Sequence, residues 1–321
     1  MDIEHRLGFA GIGVAAVALV VTQVDSVQMR LSSLNPFGKS AVADVAESGQ
    51  RHRELMLDRE FDVSSGGQLS IDVADADVTV RSRTVGGASV KVFMSAKDRD
   101  WGRDLFNRME FDVQLHGGEL SVSAQNPRFE RSERDSNRGG VGFHVEVTIP
   151  QSYNATVSTG DGDISMGDLQ GEVDLTTSDG DIAVGTLSGT LHLRTSDGDV
   201  SADALAGQTV SVRTNDGDVR VGALAGPAEI STSDGDIRVF IDRAGDVSLR
   251  TSDGDITIYA EKSLQAEVDF SGESVQVASG FTLEGRVSTS GARGSLNGGG
   301  PKLFAHTGDG AITIRDGRPD R

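Results

Sequence analysis

Apolar and polar residues alternate along much of this chain, and one five-residue motif interrupts the alternation at a nearly constant interval. The motif, Thr-x-Asp-Gly-Asp, begins at Thr159, Thr177, Thr195, Thr214, Thr232 and Thr251, every 18 or 19 residues. Ahead of it stand pairs such as Val173 and Leu175, Leu191 and Leu193, and Val210 and Val212. Behind it stand Ile182 and Val184, Val219 and Val221, and Ile256 and Ile258. A period of two on both sides predicts strands, and Asp-Gly between two such runs predicts a turn. A second turn is predicted at Leu-x-Gly, beginning at Leu169, Leu187, Leu205, Leu224 and, later, Leu283. Decayed copies of the first motif, FSGES at Phe270 and TSGAR at Thr289, and a near-intact TGDGA at Thr307 continue the series.

A unit of this size has too few apolar groups to fold alone, so the units must stack. An antiparallel meander and a β-solenoid both satisfy the period. The constant register favours the solenoid, in which like positions form columns along one axis. The fold class is therefore all-β: a parallel β-solenoid of about nine coils over residues 151–316, followed by a tail over 317–321. The motif threonines share the parity of the inward apolar residues and are expected to form a column of buried hydroxyls.

Residues 55–150 read as irregular β structure. Strands are expected at Leu69–Val73, Val78–Arg81, Val90–Ala96, Glu110–Leu115, Leu120–Ala124 and Phe143–Ile149, with a hairpin turn at 116–119. Asp75-Ala76-Asp77 looks like a degenerate copy of the motif. Trp101, Leu105, Phe106 and Met109 fall at helical spacing and predict a short amphipathic helix over 100–109 that covers the open end of the sheet. Residues 125–140 are a polar, mixed-charge loop. Leu7 to Val21 is an unbroken apolar run that extends over 7–24 with three further residues. It reads as an uncleaved membrane anchor or a cleaved signal peptide, and both export the remainder. Residues 25–54 are a polar linker.

Charge changes this picture in one place. Net charge is −19, and residues 151–260 alone hold 19 acidic against 6 basic residues, a net of −13. The excess is the repeat itself. One aspartate column is Asp161, Asp179, Asp197, Asp216, Asp234 and Asp253. The other is Asp163, Asp181, Asp199, Asp218, Asp236 and Asp255. Carboxylates about 4.8 Å apart repel by roughly 0.9 kcal/mol in water, so the columns need compensation. The plainer reading is a turn role, each Asp accepting N–H groups while Gly supplies a positive φ. The sharper reading is Ca²⁺ bridging the carboxylates, since that ion takes oxygen ligands in irregular geometry. Arg194, Arg213 and Arg250 before the motif, and Arg220 and Arg238 after it, offer compensation without metal.

The absence of cysteine excludes disulfides, thiolate zinc sites, cysteine nucleophiles and an N-terminal lipid-modified cysteine. The acidity argues against a duplex nucleic-acid partner. None of the six histidines lies at metal-ligand spacing from another, and His144 and His192 read as outward surface positions. No nucleophile elbow, phosphate loop or dinucleotide fingerprint occurs. Catalytic carboxylate pairs need unlike environments, whereas these pairs recur in nearly identical settings.

The stretch VTIPQSYNATVSTGDGDISM, followed by recurrent TSDGDI or TSDGDV and Leu-x-Gly, resembles the bacterial "putative adhesin" domain-of-unknown-function family of envelope proteins. The resemblance covers roughly residues 55–316. It implies a β-helical fold, export, an N-terminal anchor in many members, and a loose link to adhesion or envelope stress. It supplies no catalytic residues. The function expected is a non-enzymatic, exported and membrane-anchored envelope or surface solenoid without a cofactor, touching the membrane through residues 7–24 and meeting an envelope protein or surface glycan. The alternatives are an envelope-stress sensor acting through a partner protein and a polysaccharide-active β-helix enzyme.

Overall fold

The computed structural model describes residues 53–84, 86–125 and 140–319. The apolar run over 7–24, nearly all of the linker and most of the 125–140 loop lie outside the described residues. Among those described, no helix is long and apolar enough to cross a membrane.

The chain forms β1 (Glu54–Phe61), β2 (Gln68–Asp72), β3 (Ala76–Arg83), β4 (Ala88–Ala96), α1 (Arg99–Met109), β5 (Asp112–His116), β6 (Glu119–Ser123), β7 (Val141–Pro150), β8 (Asn154–Ser158) and β9 (Ile164–Met166). It continues through β10 (Leu169–Thr176), β11 (Ile182–Arg194), β12 (Val200–Arg213), β13 (Val219–Ser231), β14 (Ile237–Arg250) and β15 (Ile256–Ala260). It ends with β16 (Ala266–Ser271), β17 (Ser274–Val277), β18 (Leu283–Val287), β19 (Gly291–Leu296), β20 (Lys302–His306) and β21 (Ala311–Asp316).

Two long ladders run through these strands. The first, ahead of the turns, has the order β5-β6-β2-β8-β10-β11-β12-β13-β14-β20-β16-β19-β18 and is parallel from β6 to β16. The second, behind the turns, has the order β1-β4-β7-β3-β9-β11-β12-β13-β14-β15-β21-β17 and is parallel from β7 to β17. This is the parallel β-solenoid that the repeat predicts. The inward residues meet their own counterparts: Val173, Leu191, Val210, Ala228, Val247 and Leu303 form one column. Ile164, Ile182, Val200, Val219, Ile237, Ile256 and Ile312 form another. All are buried, each contributing about 1.5–3 kcal/mol for a Val, Leu or Ile. Branched side chains suit this stacking because they fill a pleated surface shared with identical neighbours.

Two local expectations are corrected. The Leu-x-Gly segments are not turns, because β11, β12 and β13 run through those at Leu187, Leu205 and Leu224, and those at Leu169 and Leu283 open β10 and β18. Leu169, Leu187, Leu205, Leu224 and Ile241 form a third column there. The glycine bends the strand and the pairing resumes after a register shift, as between Gly189 and Thr190 against β12: Gly189 has φ +133, and a Cβ on it would collide with the Gly171 carbonyl.

The coils also do not stack in chain order at either end. β2–β3 lies directly against β8–β9, while β6–β7, later in sequence, sits outside it. At the other end β20–β21 inserts between the β14–β15 coil and the β16–β17 coil. Phe270 is therefore not a counterpart of the motif threonine. It pairs with Ala305 and is buried in the core, and Gly272 takes the threonine's place in a turn two residues shorter than the others. Thr289 stands in the exposed turn of the β18–β19 hairpin, outside the stack.

Helix α1 carries the chain from β4, beyond β7 in the second ladder, to β5, beyond β6 in the first. Asp98 caps it by accepting the Trp101 N–H at 3.0 Å. Leu105 and Met109 are buried, and Gly102 lets the helix lie against Met94 and Ala96. Phe106 stacks on Phe111 at 5.2 Å, and both meet Phe143.

Candidate functional site: the aspartate edge

The Thr-x-Asp-Gly-Asp turns line one edge of the solenoid. Each threonine is buried and joins two coils. Thr177 Oγ1 accepts the N–H of Gly180 in its own turn at 3.3 Å and donates to the Gly162 carbonyl of the preceding coil at 3.0 Å. Thr195, Thr214, Thr232, Thr251 and Thr307 repeat both contacts. At the head of the series, Thr159 donates to the Ala76 carbonyl, so 75–77 occupies the turn position.

The central glycines serve a different purpose from the one expected. Gly162, Gly180, Gly198, Gly217, Gly235 and Gly254 are not among the glycines with positive φ. They are required because consecutive turns touch backbone to backbone: a Cβ on Gly217 would collide with the Gly198 carbonyl. Close approach, rather than a left-handed conformation, excludes a side chain here.

The two aspartate columns differ. In the second, Oδ1 of each residue accepts the backbone N–H of its counterpart in the next coil. Asp77 accepts from Asp163 at 3.2 Å, Asp163 from Asp181 at 2.9 Å, Asp181 from Asp199 at 2.8 Å and Asp199 from Asp218 at 2.8 Å. Asp218 accepts from Asp236 at 2.9 Å, Asp236 from Asp255 at 2.8 Å and Asp255 from Ala311 at 2.8 Å. Ala311 ends the ladder because it carries no acceptor. In the first column, Asp161, Asp179, Asp197, Asp216, Asp234 and Asp253 are exposed. Their carboxylates make no hydrogen bond or ion pair among the described residues. The identical sequence contexts of the two columns concealed this division.

Arginines compensate the second column locally. Arg220 bridges Asp199 and Asp218, and Arg238 bridges Asp218 and Asp236, the last at 2.6 Å. Arg194, Arg213 and Arg250 lie elsewhere, on the outer surface of the first ladder, where Glu229 pairs with Arg213 at 3.1 Å and with Arg250 at 3.9 Å. Among the described residues, no group of three or more His, Asp or Glu side chains is arranged to hold a metal ion.

Electrostatics vary at the head of the ladder. The imidazole of His144 holds the Asp77 carboxyl below the usual carboxylate range, against the opposing effect of burial. Burial pushes Asp163 up, helped by the negative charges of Asp77 and Asp181 and opposed by its bond from the Asp181 N–H. Burial also pushes Asp75 up, with Asp161 adding to it. His144 is not the surface residue its strand parity predicts. It is buried, with Nε2 3.5 Å from Glu146 and Nδ1 4.0 Å from Asp77. Glu146 in turn pairs with Arg81 at 2.9 Å and Arg53 at 3.4 Å. Parity alone could not reveal this, because β7 meets β3 out of chain order. His192 remains a half-buried outward position.

A stacked, parallel solenoid whose repeated turns form one polar edge is the class of protein seen here. The chain belongs to the Toastrack DUF4097 family, whose model matches residues 67–315. No curated protein matches it. Among solved structures, a "putative adhesin" from Bacteroides fragilis is similar at 14% identity and a TM-score of 0.48, covering 82% of this chain and 97% of that one. A "putative adhesin" from Parabacteroides merdae is similar at 11% identity and 0.40, covering 83% and 98%. A "Putative lipid binding protein" from Parabacteroides distasonis is similar at 11% and 0.35, covering 83% and 98%. At these values the names of those proteins do not transfer to this chain.

Proposed function

We propose that this chain is a non-enzymatic, exported β-solenoid, held at the cell envelope by its N-terminal apolar segment, whose stacked coils form a rigid scaffold for binding an envelope protein or surface glycan. The observation that carries the reading is the uniformity of the aspartate edge. Asp163 through Asp255 accept the same backbone N–H from coil to coil. A catalytic pair needs a setting of its own; here the two carboxylates of a motif differ, but the same difference recurs from coil to coil and sets no single pair apart. The same bonds favour a structural duty over a calcium column, because one oxygen of each second-column carboxylate is already engaged.

Fractionation of cells expressing the full chain tests the placement. The chain is expected with membranes, and deletion of residues 1–24 is expected to abolish that; recovery of the full chain in the cytosol overturns it. Thermal melts in a chelator and in millimolar Ca²⁺ test the edge. The two curves are expected to coincide, since an ion bound only by the folded state must raise the midpoint; a rise would make the edge a metal site.

A further inference from the structure

The two ladders end in β1, β5, β17 and β18, each paired on one side only. Open edges invite association and are normally blunted by charge, brevity or a bulge. β1 has a register shift between Leu55 and Leu57 and carries Glu54, Asp58, Arg59 and Glu60. β17 is only 4 residues long. β5 carries Asp112, Gln114 and His116. β18 (Leu-Glu-Gly-Arg-Val) pairs with β19 without a register shift and contains neither proline nor lysine.

Four features give this edge a specific partner. First, all of β18 beyond Leu283 is exposed, and Val287 is 60% exposed, the most of any large apolar residue described. Second, the side chains of Glu284 and Arg286 make no hydrogen bond or ion pair among the described residues. Arg286 faces another arginine, Arg293, whose own guanidinium is held by Asp269 at 2.6 Å. Third, the free peptide groups have a defined parity. The Asn297 N–H donates to the Thr282 carbonyl and the Ser288 N–H to the Gly291 carbonyl. Even-numbered residues therefore bond towards β19. By the alternation of antiparallel pairs, Leu283, Gly285 and Val287 turn their N–H and C=O groups to the open side. Fourth, the strand is self-complementary about Gly285.

We propose that β18 is the seam of a homodimer, in which it pairs antiparallel with β18 of a second copy across a two-fold axis at Gly285. That register sets Gly285 against its own counterpart, where neither chain has a side chain at the axis. It places Leu283 opposite Val287 and Glu284 opposite Arg286, twice each by symmetry. Leu283, Gly285 and Val287 are the residues whose peptide groups face outwards, so the hydrogen-bonding parity and the charge pairing call for the same register. Leu283 already packs beside the core, and the second copy's Val287 extends that apolar stripe. An isologous contact of this kind closes on itself, so the exposed edge is consumed in a dimer and does not propagate into a fibre.

Sedimentation equilibrium of the full chain in density-matched detergent tests this, with Glu284→Arg and Arg286→Glu made singly and together. The wild-type chain is expected to dimerise. Each single reversal sets like charges opposite one another at both symmetric pairs and is expected to weaken the dimer by about tenfold or more. The double exchange restores opposite charges and is expected to return the wild-type affinity. Both substituted positions are exposed, and unchanged melting curves confirm that the variants are folded. A monomeric wild-type chain overturns the proposal. So does a dimer indifferent to the single reversals, or a double exchange that dimerises no better than they do.

Discussion

The coils between Thr159 and Ala260 and the coils at the two ends use the same strands and turns but solve different problems. In the middle, neighbours in sequence are neighbours in space, and each motif position recurs in one role. Threonine bridges two turns, glycine admits the next backbone, and the second aspartate binds the next N–H. At the ends the chain abandons its own order. β6–β7 lies outside β2–β3, and β20–β21 is enclosed by a coil that precedes it in sequence. The difference shows that regular stacking propagates a solenoid but cannot finish one. A last coil needs something other than another coil against it, and this chain supplies α1 at one end and the β18–β19 hairpin at the other.

The largest expected effect separates the two regions by backbone contact. Gly217→Ala forces a Cβ into the Gly198 carbonyl and should cost about 4 kcal/mol or more, among the severe single substitutions. Gly142→Ala in β7 meets nothing within 4 Å and should change stability by no more than about 0.5–1 kcal/mol, favourably if at all. Urea unfolding of both variants checks the contrast, and equal losses would break it.

A smaller effect is expected at the threonines. Thr214→Val leaves the Gly217 N–H and the Gly198 carbonyl unpaired in a buried turn and should cost about 2–3 kcal/mol. Thr289→Val, at the exposed tip of the end hairpin, should stay within about 0.5 kcal/mol. Comparable shifts in melting temperature would mean that the hydroxyl column contributes little.

The smallest effect lies in pH dependence and has opposite signs at the first two rungs of the ladder. Asp77 has a lowered folded pKa, so its stabilisation is present above the ordinary carboxylate value of about 4 and is lost as pH falls through the lowered one. Asp163 has a raised folded pKa, so its ionisation weakens the fold as pH rises through that value, and acid relieves the penalty. Asp77→Asn should therefore lower stability at neutral pH, and Asp163→Asn, which keeps an acceptor for the Asp181 N–H, should raise it. Both differences should shrink towards about pH 3, as read from denaturation midpoints at the two pH values. Same-sign changes would mean that His144 does not set the two rungs apart.

Much of the repeat is legible in the sequence because its determinants are local. Alternation marks the strands, Asp-Gly marks the turns, and the parity of Thr177 and its counterparts marks the buried column. The reason for the central glycine is not legible, because a turn glycine ordinarily signals positive φ, whereas here the neighbouring coil excludes a side chain. The Leu-x-Gly bends look like turns because a bent strand carries the same residues when its partner bends with it. The unlike duties of the two aspartate columns have no signal at all, since Asp179 and Asp181 differ only in which faces the next coil.

Residue pattern alone was sufficient for the strands that flank the motif, the period, the parallel stacking and the alternating core residues of the repeat, because each follows from contacts within one unit or between like positions. The order of the end coils, the burial of Phe270 and His144, and the open edge at β18 needed the folded chain. Coils of one period and one register can stack on each other in any sequence with nearly the same hydrogen bonds, so no local pattern distinguishes a neighbour from an insertion. That choice is made by the connections and caps, whose contacts join residues far apart in the chain.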